Sequence, residues 1–209
     1  MALVAEVARA WLTLAADREN RKLAQSTFES QTQAYALVKK RFEVGMANEL
    51  DLKRAQVPLK TSKASRITLA QLMQPEHANN LGNVHGGWIM KLVDEAGALA
   101  CMRHAQKRVV TVAVDSLVFR EPIKIGHLVT LNAEVTYTGR TSLEAEVQVI
   151  AENPITGERT HTNTAYLVYV ALDDNAKPTS VPPLVAETEE DVERMKQAEA
   201  RQKRRISQK

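Results

Sequence analysis

The segment from Trp88 to His104 constrains the fold more than any other. It is long enough for a helix and carries Ile89, Met90, Leu92, Val93, Ala96, Leu99, Ala100 and Met102, so apolar side chains fall on nearly every side. A helix of that kind has no solvent face, and the rest of the chain must wrap it. Wrapping material follows. Val109–Phe119 is rich in Val. Val129, Leu131, Ala133, Val135 and Tyr137 alternate with Thr130, Asn132, Glu134 and Thr136, and Leu143, Ala145, Val147 and Val149 alternate with Glu144, Glu146 and Gln148. A period of two marks strands with one buried and one polar face. Tyr166–Leu172 is almost wholly apolar, as a central strand is. Ile67–Met73 supplies a short strand before the helix, and Asn153-Pro154-Ile155-Thr156-Gly157 a turn between the last two strands. One strand, one buried helix and then an antiparallel meander predict an α+β fold, a sheet wrapped around a single helix.

The flanks read differently. Residues 1–44 hold neither Gly nor Pro, and a 4-3 spacing runs from Leu3 through Val7, Ala10, Leu14, Ala24, Phe28, Tyr35 and Val38 to Phe42, interrupted by Asp17, Arg21 and Gln31. This predicts a long helix with a coiled-coil-like seam, roughly 60 Å at about 1.5 Å per residue. Gly45 stops it, and Asn48 caps a second helix with Asp51 in its first turn. Pro58 and Lys60-Thr61-Ser62-Lys63 are expected to end that second helix early. Beyond Leu172 comes a link with Pro178, Pro182 and Pro183, then a charged, helix-prone Thr188–Lys203, expected as a surface or frayed helix. The organisation expected is a helical extension over 1–65, a domain over 66–185 and a charged helical tail over 186–209.

Charge and composition exclude several classes. The net charge of +3 lives in the flanks: residues 66–185 carry 10 Lys/Arg against 12 Asp/Glu. The domain therefore has no electrostatic footprint for nucleic acid. No uncharged apolar run approaches the roughly 18–20 residues that span a bilayer, so no membrane insertion is expected. The start carries Glu6 early, has no basic leader and does not read as a secretory signal. A single cysteine, Cys101, excludes an internal disulfide and a multi-cysteine metal site, and a cytoplasmic setting is expected. The five histidines lack metal-ligand spacing, and no metal is expected.

Chemistry concentrates in Leu81-Gly82-Asn83-Val84-His85-Gly86-Gly87-Trp88 and the helix it opens. Gly86 and Gly87 stand directly before the helix, where free N–H groups form a donor nest for a carbonyl oxygen or an oxyanion; a tight turn explains the pair equally. Asp94 lies two turns in, with Met90, Lys91, Gly97, Ala98 and Cys101 on its face. A carboxylate there is a general base, a nucleophile, or the structural partner of Lys91 or a backbone group. Asn83 orients a water or caps the loop. Gly139-Arg140-Thr141-Ser142 joins two strands, and Arg140 with two hydroxyls can hold a phosphate. Cys101, on the buried helix, reads as core.

Two resemblances follow. Arg41-Phe42-Glu43-Val44-Gly45-Met46-Ala47-Asn48-Glu49-Leu50-Asp51-Leu52, with the helix before it, resembles the hairpin tip of outer-membrane efflux factors, the TolC-like exit ducts, over residues 2–57. One helix and a stub cannot close a barrel, so this segment reads as a fused or mis-joined fragment. Gly82-Asn83-Val84-His85-Gly86-Gly87 with Lys91-Leu92-Val93-Asp94-Glu95-Ala96-Gly97, then Val110–Asp115, Phe119-Arg120-Glu121-Pro122, Gly139–Ser142 and Tyr169–Asp173, resembles the hotdog-fold acyl-CoA thioesterases of the cytosolic acyl-CoA hydrolase branch. The resemblance implies a five-stranded sheet around a central helix and a homodimer, often three dimers in a hexamer. It implies Asn83 and Asp94 as catalytic residues, contributed to one site by opposite subunits, the Gly86/Gly87 amides on the thioester oxygen, and coenzyme A on Gly139, Arg140, Thr141 and Ser142. No cofactor is implied, coenzyme A being part of the substrate. The alternatives are a hotdog dehydratase or hydratase, using His85 with Asp94 or Glu95, and a non-enzymatic scaffold built on the coiled-coil segment.

Overall fold

The structure is a computed structural model and describes residues 26, 29–62, 65–186 and 188–207. It divides into two compact units, Met1–Lys63 with Pro182–Val185, and Ala64–Val181 with Ala186–Lys209. Among the described residues no helix is long and apolar enough to cross a membrane.

In the first unit, residues 29–43 form helix α1 and Glu49–Ser62 form α2. Most of the expected seam, Leu3 to Phe28, lies outside the described residues. Within α1 the seam positions Gln31, Tyr35 and Val38 are half-buried and the residues between them exposed. Gly45 ends α1 at φ +74°, a conformation that favours glycine. The Asn48 side chain accepts the Asp51 N–H at 2.8 Å and Asp51 accepts the Asn48 N–H at 3.3 Å, a reciprocal cap. Pro58 does not end α2, contrary to expectation. Proline withdraws one donor from the helical ladder, and the helix continues to Ser62.

The second unit contains β1 (Arg66–Leu72), α3 (Gly86–Ala105), β2 (Arg108–Leu117), β3 (Leu128–Thr138), β4 (Ser142–Glu152), β5 (Arg159–Leu172) and α4 (Glu189–Ser207). The strands form one antiparallel sheet in the order β1-β3-β4-β5-β2. Only β3-β4-β5 is a meander. Strand β2 starts two residues after α3, across the left-handed Gln106 (φ 52°), and is laid on the edge opposite β1. Alternation along a strand reports its faces and not its neighbours, which is why a four-strand meander was expected.

Helix α3 lies against all five strands. Its Ile89, Val93, Ala96 and Ala100 are 1% exposed or less, as are Val129, Leu131, Val147, Val149, Ala165 and Leu167 of the sheet. Each such Val, Leu or Ile contributes about 1.5–3 kcal/mol by leaving water. The helix is not covered all round, however. Met90, Leu99 and Met102 are exposed, and so are Val110, Val112 and Val114 of edge strand β2. Large exposed apolar side chains along an edge strand leave that edge open to pairing with another chain.

Helix α4 departs most from its expected solvated state. Arg194, Ala198, Arg201 and Arg205 share one face at helical spacing and dock on the sheet. Arg194 donates to Glu134 (2.8 Å) and Glu146 (3.3 Å), and Arg201 to Glu144 (2.7 Å). Arg205 pairs with Glu144 and Asp115, and Ala198 is fully buried. Arg201 also lies over the Tyr166 ring at 3.7 Å. A reciprocal cap between Thr188 and Asp191 starts the helix. The polar strand positions Glu144 and Glu146 therefore face arginines and not water.

Candidate active site

The loop before α3 is held by its own side chains. Asn79 Oδ1 accepts the N–H of Leu81 at 2.8 Å and of Asn83 at 3.2 Å, while the Asn79 N–H donates to the Asn83 carbonyl at 2.7 Å. Gly82 turns the chain at φ +79°. The His85 ring caps α3, its Nδ1 accepting the Gly87 N–H at 2.9 Å. A Cβ at position 87 would stand 3.0 Å from that nitrogen, so glycine makes room for the cap. The expected two-amide nest is thus one amide. Gly87 is engaged, and the Gly86 N–H has no partner among the described residues, as the first residue of a helix need not. Gly86, Asn79 and Asn83 line one cavity of about 310 Å³ with Ile89, Phe119 and Ile123.

Asp94 sits elsewhere. Lys91 pairs with Glu95 at 2.8 Å, so Asp94 is not the lysine's partner. Its Oδ1 accepts the Thr111 hydroxyl at 2.6 Å and the Tyr169 hydroxyl at 3.3 Å, and Tyr169 also donates to the Asp94 carbonyl at 3.0 Å. Oδ2 has no partner among the described residues. Thr111 and Tyr169 are direct cross-strand neighbours, and the β2 register slips just after Thr111. Tyr169 is fully buried, and burial with the nearby Asp94 charge pushes its hydroxyl far above the usual range, so it remains a donor. A Cβ on Gly97 would come within 2.4 Å of the Tyr169 hydroxyl oxygen. Gly97→Ala is therefore expected to lower Tm and activity together, and adding Tyr169→Phe to restore part of the Tm. Differential scanning calorimetry and a thiol-release assay of the two variants beside wild type check this; an unperturbed Gly97→Ala protein contradicts it.

The Gly139–Ser142 turn lies apart from both groups. The Gly139 N–H donates to the Ser142 carbonyl at 2.8 Å, and a Cβ at 139 would meet Ser142 Oγ at 2.8 Å. Arg140 is exposed, without an ion pair among the described residues. Ser142 lines a second cavity, about 480 Å³, with Asp115, Tyr137, Gln202 and Arg205. One chain therefore brings Asn83 and Gly86 together and leaves Asp94 and residues 139–142 in separate places. Among the described residues no three His, Cys, Asp or Glu gather as a metal site. Cys101 is fully buried, its thiol pushed well above the usual range by burial, and is core. Sequence reasoning missed Asn79, Thr111 and Tyr169. Asn79 was readable as a second amide in the same loop, whereas Thr111 and Tyr169 meet Asp94 only through the β2–β5 register.

The Thioesterase superfamily model matches residues 81–158, and the Outer membrane efflux protein model matches residues 1–87. An uncharacterised acyl-CoA thioester hydrolase of Bacillus subtilis is 38% identical over 130 residues, which is 62% of this chain and 76% of that protein. The human cytosolic acyl coenzyme A thioester hydrolase is 39% identical over 145 residues, 65% of this chain and 38% of that protein. Among solved structures, an apo-hexameric acyl-CoA thioesterase has a TM-score of 0.66 at 39% identity, covering 69% of this chain and 92% of its own. The Staphylococcus aureus acyl-CoA hydrolase, solved with butyryl coenzyme A and coenzyme A, has a TM-score of 0.64 at 32% identity, covering 69% and 88%. Variants of the S. aureus hydrolase have been solved with alanine at an asparagine, at an aspartate fifteen positions on, and at a threonine seventeen beyond that. Asn79, Asp94 and Thr111 have the same residue types at the same spacings.

Proposed function

Because this chain belongs to the thioesterase superfamily, as an acyl-CoA thioester hydrolase with a hotdog fold, we propose that it hydrolyses acyl-CoA to a fatty acid and free coenzyme A. The observation that carries the mechanism is the half-engaged Asp94 carboxylate, with Oδ1 held by two hydroxyls and Oδ2 open. Oδ2 takes a proton from water, the water oxygen attacks the thioester carbonyl, and as the carbon–sulfur bond breaks the proton on Asp94 passes to the leaving sulfur, releasing the coenzyme A thiol and restoring the carboxylate. The Gly86 N–H faces the developing oxyanion, where one donor is worth about 3–4 kcal/mol. Asn79, its carboxamide oxygen fixed by two backbone donors, presents its NH₂ group to the water or carbonyl; its spacing to Asp94 favours it over Asn83 for this role. Arg140, with Thr141 and Ser142, takes the phosphates of coenzyme A. The reaction as written consumes only water. Residues 66–185 carry the activity, residues 1–65 are an appended efflux-factor fragment, and the setting is the cytosol named for the human relative.

Asn79 and Asp94 line different places in one chain, so we assign them to one site across a dimer. The exposed Val110, Val112 and Val114 edge of β2, with the exposed Leu99 and Met102 of α3, offers apolar surface to a second copy, and hexameric neighbours support three such dimers. Thiol release from a panel of acyl-CoA chain lengths tests the activity. Stoichiometric coenzyme A supports hydrolysis, and an acyl-CoA altered without thiol release points to a dehydratase or hydratase. Refolding Asn79→Ala and Asp94→Ala chains together tests the shared site. Under random exchange half the dimers are mixed, each with one intact site, so activity is expected to recover to roughly a quarter of wild type. No recovery above the parents, with subunit exchange confirmed, places both residues in one chain.

A further inference from the structure

Hydroxyls from two adjacent strands converge on one oxygen of Asp94. Tyr169 stands directly opposite Thr111 in the β2–β5 register. Its ring packs on α3 where Gly97 leaves no Cβ, and its hydroxyl reaches both the Asp94 carbonyl (3.0 Å) and Oδ1 (3.3 Å). Thr111 reaches the same Oδ1 at 2.6 Å. The two oxygens of a carboxylate are chemically equal, and rotation about the last side-chain bond exchanges them. A donor on each oxygen would steady the group but leave neither arm open.

We propose that Tyr169 is a positioning residue that, with Thr111, pins Oδ1 and so makes Oδ2 of Asp94 the oxygen that takes the proton. Its single O–H is shared between Oδ1 and the carbonyl of Asp94 itself, which references the side chain to the helix backbone as a bond from Thr111 alone does not. Gly97 belongs to the same device, because any larger residue displaces the hydroxyl. The inference rests on Asp94 as the reacting carboxylate.

The test uses the full chain. Tyr169→Phe keeps the ring and its packing and removes only the hydroxyl. The expected result is a fall in kcat of about 10–100-fold, the range for residues that orient a reacting group, with KM changed less than about twofold. The decisive measurement repeats the substitution in an Asp94→Asn background. A residue acting through the Asp94 carboxylate adds no further loss there, whereas a merely structural one lowers both backgrounds by the same factor. Thr111→Val, read the same way, is the second variant should Tyr169→Phe fold poorly. It is expected to lose kcat in the Asp94 protein and nothing further in Asp94→Asn. An unchanged kcat for Tyr169→Phe beside an inactive Asp94→Asn protein overturns the inference alone. Equal losses in both backgrounds overturn it as well. An active Asp94→Asn protein removes the catalytic reading of Asp94 and this inference with it.

Discussion

Asp94→Asn is expected to cut the release of coenzyme A by about 10²–10⁴-fold while leaving the protein folded. The two side chains are nearly isosteric. An amide oxygen in the place of Oδ1 still accepts the Thr111 and Tyr169 hydroxyls, so the α3–β2–β5 junction keeps its bonds. What changes is the open arm: an NH₂ group replaces Oδ2 and cannot take a proton. The loss should fall on kcat, because the carboxylate contributes to the transition state and not to holding the acyl chain. Steady-state kinetics with a thiol reagent, alongside a Tm within a few degrees of wild type, check this. Near-normal turnover would falsify the role given to Asp94.

The largest stability effect is expected at α4. Arg201→Leu should cost about 3–5 kcal/mol, because it strips the closest cation from a carboxylate that remains buried. Glu144 is 1% exposed, and burial pushes its carboxyl above the usual range, while the hydrogen bonds from Arg201 and Thr136 oppose the push. Without Arg201, burial acts with less opposition, and the folded chain holds a proton that the unfolded chain releases. Stability then falls as pH rises through and beyond the ordinary carboxylate value, and the deficit shrinks as pH drops below it. Denaturant melts at pH 4, 6 and 8 should show a deficit widening toward pH 8. A deficit of the same size at all three means the arginine acts only through packing on Tyr166, and no deficit at any pH means it contributes nothing to stability.

The parts of this fold written in local rhythm were legible before any coordinates. The two-residue period of Val129–Tyr137 and Leu143–Val149 marks which side chains line the core, and those positions are buried. What local rhythm cannot carry is adjacency. Strand β2 lies beside β5 and not β3, and Glu134, Glu144 and Glu146 meet arginines about 48–60 residues away. The same limit governs the site. Asp94 was conspicuous as an acid on an apolar helix. Thr111 and Tyr169 are an ordinary β-branched residue and an ordinary aromatic until the β2–β5 register sets them opposite each other. Gly87 is expected as a free donor, and the His85 ring two residues before it accepts its N–H.

The strand order also dictates how the chain emerges during synthesis. When α3 leaves the ribosome, β1 is the one strand of the sheet that precedes it, and the partner of β1 is β3, which begins at Leu128. Strand β2 follows at once, but its partner β5 is the last strand made. The apolar helix α3 therefore gains sheet on the β1 side once β3 is made, while β2 on its other side has no partner until β5 follows. The two edges therefore close in turn, that of β1 first and that of β2 last, and the second pairing is distant in sequence, a kind that is slow and leaves apolar surface exposed meanwhile. A nascent chain truncated before Arg159 holds the helix and most of its cover but lacks the strand that joins β2 to the rest.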